Sequence, residues 1–351
     1  MYLNSSLYKD DIHSISLINI DWEIFSNKSI VITGATGLIG TFLIDLLMYR
    51  NLKYNNNITI YAVGRSIQKA MLRFKNYFDS QLFNFIKKDI QTSFTLDVPI
   101  DFIIHGASNA HPIAYAAEPI NTVMTSVLGT KYILDFACKN NVKKIIFIST
   151  SEIYGDNRGD TDTFKENYCG FIDCNTLRAG YPEGKRAAEA LCQAYIKEKN
   201  LDIEIARCCR IYGATMGEDD SRSTSQFIKK TINYEDIILK SKGEQQYSCC
   251  YVADTCSALL YILLNGKNGE AYNISNNDNI LSLFEIANIL TEYSNKKVIF
   301  DIPSSEEIAG YSVITKALLD SSKLQKLGWK PLYSLKDGLL RTVDILRENN
   351  A

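Results

Sequence analysis

Two residues with acid–base chemistry lie four positions apart in the segment YPEGK, which runs from Tyr181 to Lys185. Residues i and i+4 lie on one face of a helix, so a helix that starts here brings the phenol and the ammonium together. The positive charge favours the phenolate and lowers the pKa of the tyrosine from about 10 toward neutral. Such a tyrosine can transfer a proton to or from a sugar hydroxyl or carbonyl while hydride moves to or from a nicotinamide. On its own, this spacing more often marks a packing tyrosine and a surface lysine.

A second candidate site is a glycine-rich turn. Residues 30–33 form a β-branched run, GATGLIG follows at residues 34–40, and residues 41–49 have helical apolar spacing. The first glycine allows a tight turn, the second lets backbone N–H groups approach a pyrophosphate, and the third lets the helix pack close to the sheet. In this strand–turn–helix context the pattern predicts a dinucleotide site in preference to an ordinary turn. The predicted cofactor contacts in the turn are Gly34, Thr36, Gly37, Leu38, Ile39 and Gly40.

The residues after the second predicted strand bear on the choice of cofactor. An acidic residue at this point would bind the ribose hydroxyls of NAD, whereas a basic residue accommodates the 2′-phosphate of NADP. The chain has Gly64, Arg65 and Ser66 here and no acid. The guanidinium of Arg65 suits a phosphate, which favours NADP over NAD, although Arg65 is alternatively a solvated residue at a helix start.

The alternation of elements predicts the fold. Predicted strands cover residues 30–33, 58–63, 83–86, 101–105, 144–150 and 202–206, with predicted helices at 41–49, 66–78, 121–139 and 181–199. This alternation predicts an α/β fold, namely a Rossmann-like doubly wound parallel sheet covered on both faces. We assign residues 29–206 to a dinucleotide-binding domain, 1–28 to an N-terminal extension that packs on it, and 207–351 mainly to a smaller C-terminal substrate lobe, partly interleaved with the first domain. The lobe is expected over the carboxyl ends of the strands, where open α/β sheets bind ligands.

Composition argues against several classes of partner. The 38 Lys and Arg nearly balance the 40 Asp and Glu, so a net charge of −2 gives no basis for binding nucleic acid or an acidic membrane surface. No apolar run reaches the ~18–20 residues of a membrane helix, and the N-terminus lacks the pattern of a secretory signal. The nine cysteines have no CxxC spacing, which predicts reduced thiols in the cytoplasm and no metal site. His105, at the end of a buried strand, is interpreted as structural, and His111 is a weaker candidate for the pocket lining.

Several motifs together resemble the extended short-chain dehydrogenase/reductases and, more narrowly, the NAD-dependent epimerase/dehydratase family that acts on nucleotide sugars. GATGLIG, HGAS at residues 105–108, STSEIYG at 149–155, YPEGK and LGWKP at 327–331 occur in the family's order. The resemblance implies that Thr150 polarises the C4 oxygen of a sugar beside Tyr181 and Lys185. It also implies cofactor contacts, near the adenine or along the dinucleotide, from Asp89, Ile90, Ala107 and Ser108.

The pair Ser151 and Glu152 leaves the reaction open. TSE resembles the motif of GDP-mannose dehydratases and UDP-glucuronate decarboxylases, and YPEGKR resembles the decarboxylase form of the tyrosine motif. In a dehydratase the glutamate removes the C5 proton of a transient 4-ketosugar, which requires a carboxylate near the ring. Alternatively, Glu152 is only a polar residue at the pocket edge. Ser151 is expected to contact the substrate.

Departures from the family pattern lie on the predicted substrate side. Arg210 stands where an asparagine usually precedes the Tyr-Gly pair at 212–213. Tyr247 stands where the family often has an arginine that binds the nucleotide diphosphate. We expect Arg210, Tyr247 and Lys316 in the substrate site, with Lys316 or Arg210 supplying the missing cation.

The expected activity is NAD(P)H-dependent reduction of the C4 keto group of an NDP-4-keto-6-deoxyhexose, with a dTDP-linked sugar favoured. Arg65 is the reason for preferring a reductase, because a dissociable NADPH suits net reduction. The alternatives are a 4,6-dehydratase, a UDP-glucuronate-type decarboxylase or a 4-epimerase with Glu152 as base and, more remotely, a non-catalytic cofactor-sensing protein. The resemblance also implies a homodimer formed through the helices at 121–139 and 181–199, and a role in surface-polysaccharide or O-antigen precursor synthesis.

Overall fold

Short runs rich in β-branched and aromatic residues form the strands of the main sheet, and longer amphipathic segments form the helices between them. The structure, a computed structural model, describes residues 2–109, 115, 117–277, 280–302 and 316–350. The strands are β1 Ser29–Thr33, β2 Thr59–Gly64, β3 Phe83–Lys87, β4 Phe102–His105, β5 Lys144–Thr150, β6 Ile203–Cys208, β7 Arg210–Tyr212, β8 Ile237–Leu239, β9 Gln246–Tyr247, β10 Cys249–Tyr251, β11 Ala271–Ile274, β12 Val298–Phe300 and β13 Lys316–Ala317. The helices are α1 Ser6–Ser16, α2 Leu38–Tyr54, α3 Ile67–Phe74, α4 Pro119–Lys139, α5 Gly180–Lys199, α6 Ser223–Ile232, α7 Val252–Asn265, α8 Leu283–Ser294, α9 Ser322–Gln325 and α10 Leu335–Asn350.

Seven parallel strands form the main sheet, in the order β11-β6-β5-β4-β1-β2-β3. The predicted Rossmann-like α/β fold is therefore confirmed. The chain runs outward from β1 through β2 to β3 and then returns to place β4 on the other side of β1. The strand order reverses between β1 and β4, and the crevice at such a reversal is where sheets of this kind bind ligands.

The residues after β6 supply both a small lobe and part of the main sheet. Three two-stranded parallel pairs, β7–β10, β8–β12 and β9–β13, form the small sheets of the lobe, while β11 extends the main sheet beyond β6. Helix α6 packs against α8 and α10 in the lobe, and α7 packs against β5 and β6. Substrate-side residues on these small sheets therefore lie on a scaffold that is anchored in the main sheet. No helix in the described ranges is long and apolar enough to cross a bilayer.

The N-terminal segment forms helix α1, which packs on α2 and α10. Two buried tyrosine–aspartate contacts hold it there. The Tyr8 hydroxyl donates to Asp45 on α2 at 2.6 Å, and the Tyr251 hydroxyl donates to Asp11 on α1 at 2.6 Å. Arg341 on α10 also donates to Asp11 at 2.7 Å, so the buried carboxylate has a charged partner.

Helices α4 and α5 cross at very short range. A Cβ on Gly180 would lie 3.2 Å from the Val123 side chain, and one on Gly184 would lie 3.2 Å from Ser126. The glycines therefore let the first turns of α5 approach α4 closely. This contact fixes the start of α5, where Tyr181 and Lys185 lie.

Glu204 on β6 gives the fold a testable pH dependence. It is fully buried; one carboxylate oxygen accepts from the Lys144 ammonium at 2.7 Å, and the other has no partner among the described residues. Burial raises the pKa of Glu204 from 4.5 to about 8, against the opposing effect of Lys144. The folded chain then binds more protons than the unfolded chain between these values, so this contribution to stability is lost as the pH rises through about 8.

We expect the thermal unfolding midpoint of Glu204→Gln to fall less steeply than that of the parent protein between about pH 5 and about pH 9, because the amide does not titrate. Thermal unfolding followed by circular dichroism measures this. The matched control is Glu198→Gln, which changes an exposed glutamate on α5. A variant whose midpoint falls as steeply as that of the parent protein would show that Glu204 is not the titrating group.

Candidate active site

The turn after β1 brings two backbones into contact at the mouth of the crevice. Gly34 has φ +71°, and a Cβ there would lie 2.9 Å from the carbonyl carbon of Gly106 in the turn after β4. A Cβ on Gly40 would lie 2.5 Å from the Gly34 carbonyl oxygen, so the first turn of α2 rests directly on the loop. Gly37 immediately precedes α2, and its N–H donates to the Gly34 carbonyl at 2.9 Å. The turn thus points the start of α2, with Leu38 and Ile39, toward the crevice.

Thr33 and His105 stabilise the neighbouring turn. The Thr33 hydroxyl oxygen accepts from the N–H groups of Gly106 and Ala107, each at 3.1 Å, and lies 2.7 Å from Nδ1 of His105. Nε2 of His105 lies 3.2 Å from the Thr130 hydroxyl. Burial, aided by the charge of Lys185, lowers the pKa of His105 to about 3. His105 is therefore neutral and links β4 to β1 and α4, whereas His111 lies outside the described residues.

The groups lining the crevice fit a dinucleotide. Glycine Cα atoms leave room beside the turn, the N-terminus of α2 presents N–H groups, and the Ser108 hydroxyl is buried with no partner among the described residues. Thr36 lies next to Gly64, since a Cβ on Gly64 would be 3.8 Å from the Thr36 hydroxyl. Arg65 is exposed and donates to the Asn109 amide oxygen at 3.4 Å.

The two predicted adenine contacts, Asp89 and Ile90, differ in their exposure to solvent. Asp89 is exposed, and its carboxylate accepts from the Gln91 N–H at 2.9 Å. Ile90 is buried under α4, where a Cβ on Gly129 would lie 2.5 Å from its side chain. Asp89 is therefore available to a ligand, whereas Ile90 mainly packs the floor of the crevice.

Thr150, Tyr181 and Glu152 converge at the end of β5. The Thr150 side chain hydrogen-bonds the Tyr181 phenol and accepts from the Glu152 N–H at 3.3 Å. Ser151 starts the 3-10 turn Ser151–Tyr154 that carries Glu152. This arrangement places a hydroxyl beside a phenol at the predicted catalytic position, with the charge of Glu152 near enough to raise the pKa of the phenol.

Lys185 is held differently from the sequence-based expectation. Its ammonium donates to the Ile148 carbonyl of β5 at 2.8 Å and lies 4.7 Å from the Phe147 ring centroid. Burial lowers the pKa of Lys185 to about 8. Burial and the charge of Glu152 raise the pKa of Tyr181, against the Thr150 hydrogen bond. The expected lowering of the Tyr181 pKa by Lys185 is not found, because the Lys185 ammonium is directed at a backbone carbonyl and is not among the groups that shift that pKa.

Sequence reasoning missed two residues of this centre. The Tyr115 ring stacks on the Tyr181 ring, with centroids 4.7 Å apart and planes at 14°. Arg178 forms an ion pair with Glu152 at 3.2 Å, and its guanidinium lies 5.5 Å from the Tyr115 ring centroid. Neither residue has a periodic or motif signal, because both contacts join segments that are distant in the sequence.

The predicted substrate-side residues lie on the small sheets of the lobe. The guanidinium of Arg210 on β7 lies 3.4 Å from the ring centroid of Tyr247 on β9, so the two departures from the family pattern are in direct contact. Lys316 lies on β13, opposite Gln246 of β9, and forms an ion pair with the exposed Asp162 at 3.0 Å. All nine cysteines are free thiols, and no group of acids, histidines and cysteines suited to a metal ion occurs within the described part of the chain.

A sequence model of the NAD dependent epimerase/dehydratase family matches residues 30–275 of the chain. The chain belongs to this family. The match spans the glycine turn, the Thr150–Tyr181–Lys185 centre and β11, so it includes every motif that carried the resemblance except LGWKP at residues 327–331. As a member of an NAD dependent family, the chain takes a nicotinamide dinucleotide as cofactor.

Curated relatives and solved structures agree with this assignment. UDP-glucuronic acid decarboxylase 6 of Arabidopsis thaliana is 32% identical over 314 residues, which cover 90% of this chain and 87% of that protein. UDP-glucuronic acid decarboxylase 1 of Xenopus tropicalis is 29% identical, covering 92% of this chain and 72% of that protein. DesIV of Streptomyces venezuelae, a dTDP-glucose 4,6-dehydratase solved with NAD and TYD, superposes with a TM-score of 0.79 at 23% identity, covering 92% of this chain and 98% of that one. The UDP-glucuronic acid 4-epimerase of Bacillus cereus gives 0.77 at 23% identity, covering 92% and 99%.

We expect Gly34→Ala in this family member to weaken dinucleotide binding and stability more than Gly159→Ala. Both glycines have positive φ, so both variants lose about 1 kcal/mol to backbone strain. Only at Gly34 does the new methyl group meet the Gly106 backbone, whereas nothing lies within 4 Å at Gly159. Thermal unfolding and quenching of protein fluorescence by NAD measure the two effects. Equal losses in the two variants would contradict the importance of the Gly34–Gly106 contact.

Proposed function

We propose that the protein acts on a nucleotide-linked hexose, oxidises C4 with a retained nicotinamide dinucleotide, and returns the hydride to the same sugar within one turnover. The observation that carries this proposal is the position of Glu152 beside the Thr150–Tyr181 pair. Simple reduction of a ketone needs one proton donor, and Tyr181 supplies it. A third acid–base group at the same position suits reactions that also make or break a bond at C5.

In this proposal Tyr181 accepts the proton of the C4 hydroxyl, and Thr150 orients that oxygen by hydrogen bonding. Lys185, whose pKa of about 8 leaves it mostly protonated near neutral pH, provides a fixed positive charge at the end of β5. When bound in its oxidised form, the cofactor supplies a hydride acceptor and a positively charged ring. That charge favours ionisation of Tyr181, which burial and the charge of Glu152 oppose.

Decarboxylation of a UDP-hexuronate is the most specific form of the proposal. A ketone at C4 is β to the C6 carboxylate, so loss of carbon dioxide leaves an enolate that is protonated at C5 before hydride returns to C4. Glu152, paired with Arg178 at 3.2 Å, is the acid–base group placed for the C5 step. UDP-glucuronic acid decarboxylases that are 31–32% identical over 87–88% of their own length support this choice.

Reduction of an NDP-4-keto-6-deoxyhexose, with dTDP as the preferred nucleotide, is the second candidate. Its support is Arg65, which is exposed at the end of β2, where no carboxylate stands to bind the ribose of NAD. Its guanidinium makes one long hydrogen bond, to Asn109 at 3.4 Å, and its planar fork of donors suits the 2′-phosphate of NADPH. Either activity suits the synthesis of polysaccharide precursors in the cytoplasm.

The decarboxylase and the reductase differ in whether the reaction consumes added cofactor. We expect the purified protein to convert UDP-glucuronate with no added nicotinamide, and we expect Tyr181→Phe and Glu152→Gln each to lower kcat by about 100-fold or more. Product analysis by NMR with UDP-glucuronate, UDP-glucose and dTDP-4-keto-6-deoxyglucose measures this. The exposed Glu198→Gln serves as the control. Stoichiometric consumption of NADPH with the 4-keto sugar would instead establish the reductase, and full activity of Tyr181→Phe would contradict both candidates.

We also propose that the chain forms a homodimer through α4 and α5. Ile120 and Met124 on α4 are 77% and 40% exposed, which leaves an apolar surface at the end of this helix pair. Light scattering is expected to give twice the monomer mass, and Ile120→Glu is expected to shift the mass toward the monomer. Leu52→Glu, at an 85% exposed leucine on α2, is the matched control. A monomeric parent protein would overturn this proposal.

A further inference from the structure

One arginine beside the catalytic centre is exposed and has a single ionic partner. Arg178 lies in the 3-10 turn Leu177–Ala179, immediately before α5, and its Nη2 lies 3.2 Å from a carboxylate oxygen of Glu152. Its guanidinium lies 5.5 Å from the ring centroid of Tyr115, which in turn stacks on the Tyr181 ring. The side chains of Arg178 and Glu152 are 50% and 32% exposed, so solvent, and therefore a ligand, can reach both.

The other cations close to the catalytic pair are already bound. Lys185 is buried and donates to a backbone carbonyl of β5. Arg186 uses all three of its nitrogens, on two backbone carbonyls and one carboxylate. Arg222 donates three hydrogen bonds to the carboxylate of Asp220. Arg178 is the most exposed of these four side chains, and it makes no hydrogen bond or second ion pair with the described residues.

The position of Glu152 indicates which part of a sugar Arg178 would meet. In the proposed function Thr150 and Tyr181 hold the C4 oxygen, and the charge of Glu152 is close enough to raise the pKa of Tyr181. A hexose whose C5 faces Glu152 therefore places its C6 substituent beside the Arg178–Glu152 ion pair, because C6 is bonded to C5. A carboxylate at C6 brings a second negative charge next to Glu152, with one guanidinium between the two.

We propose that Arg178 exchanges partners when substrate binds, leaving Glu152 and binding the C6 carboxylate of a nucleotide-linked hexuronate. This inference rests on the decarboxylase form of the proposed function. The planar fork of a guanidinium matches the two oxygens of a carboxylate, whereas an uncharged C6 hydroxymethyl group does not displace an ionised carboxylate from it. Arg178 thereby acts as a specificity residue, since only a sugar with an acid at C6 releases Glu152 for proton transfer.

The exchange also supplies the proton that the C5 step needs. Two carboxylates that share one cation retain a proton between them, and Glu152, having lost its partner, takes up that proton from solvent. When the bond between C5 and C6 breaks, its electron pair moves toward the C4 ketone and carbon dioxide leaves. The acid of Glu152 then gives its proton to C5, and Arg178 returns to the ionised Glu152. The summed charge of Arg178, Glu152 and the C6 carboxyl group is the same before and after this step.

Calorimetric titration of the Tyr181→Phe holoenzyme, in which turnover is slow, compares UDP-glucuronate with UDP-glucose, which differ only at C6. We expect the further change Arg178→Gln to weaken UDP-glucuronate by about 10-fold or more and to leave UDP-glucose unchanged, because a charge-assisted contact is lost only with the acid. Arg178→Lys, which keeps the charge without the fork, is expected to lose less. The matched control is Arg158→Gln, at an exposed arginine between β5 and α5 whose guanidinium lies 4.4 Å from the Phe171 ring centroid. Circular dichroism checks folding.

Glu152→Gln in the same background has the opposite expected effect. Removing the competing carboxylate leaves Arg178 unpaired, so UDP-glucuronate is expected to bind about three-fold more tightly, with UDP-glucose unchanged. An ion pair with a purely structural role would instead weaken both ligands in both variants.

Three results overturn the inference and leave the proposed function intact, provided that the parent protein converts UDP-glucuronate. These are UDP-glucuronate binding by Arg178→Gln within about two-fold of the background protein, an equal loss of UDP-glucose binding, and weaker UDP-glucuronate binding in both Arg178→Gln and Glu152→Gln. A parent protein that neither binds nor converts UDP-glucuronate, while it converts another nucleotide sugar, overturns the decarboxylase form of the proposed function and the inference with it.

Discussion

The close approach of two backbone turns, at Gly34 and Gly106, is the constraint on which the active site depends. A side chain at Gly34 would overlap the Gly106 carbonyl group, so the loops after β1 and β4 meet only because this position is glycine. Thr33 uses its hydroxyl to bind the N–H groups of the second turn, and His105 binds Thr33 in turn. These contacts fix the edge of the crevice and the direction of α2.

Burial sets the acid–base properties of the catalytic centre more than pairing does. Lys185 lies against a carbonyl and an aromatic ring of β5, and its pKa is lowered to about 8 because its charge is poorly solvated. Tyr181 is covered by the ring of Tyr115 and has its pKa raised. Because screening is weak in a buried site, a newly bound charge changes the ionisation of Tyr181 and Lys185 more than it would in water. The centre is thereby suited to proton transfer that accompanies hydride transfer.

Sequence reasoning predicted the features that are set by patterns within a few residues. Six of the seven strands of the main sheet, β1 to β6, were predicted, as were the glycine turn and the Tyr181–Lys185 helix face, because period and turn chemistry act over a few residues. Strand β11 was missed. Arg178 and Tyr115 were missed because their contacts with Glu152 and Tyr181 join segments that are distant in the sequence. The helical packing of the N-terminal segment depends on the buried Asp11 and Asp45, whose polarity suggests an exposed position when the sequence is taken alone. Arg210 and Tyr247 were each noticed as departures, but their contact spans separate small sheets and is visible only in three dimensions.

The two sides of the crevice differ in how strongly the backbone constrains them. Thr150 lies on β5, which is hydrogen-bonded between β4 and β6 in the seven-stranded sheet. Tyr181 and Lys185 lie on α5, which packs on α4 at van der Waals distance. A shift of any one of them disturbs the others, so the chemical step leaves little freedom for substitution. Arg210, Tyr247 and Lys316 lie on strands of two or three residues, each paired with one short partner. A cation can change strands there without disturbing the main sheet, because what the ligand requires is a positive charge at a given point and not a particular residue to carry it. Differences in substrate are therefore expected to arise on the small sheets, while the hydroxyl, phenol and ammonium groups on β5 and α5 stay fixed.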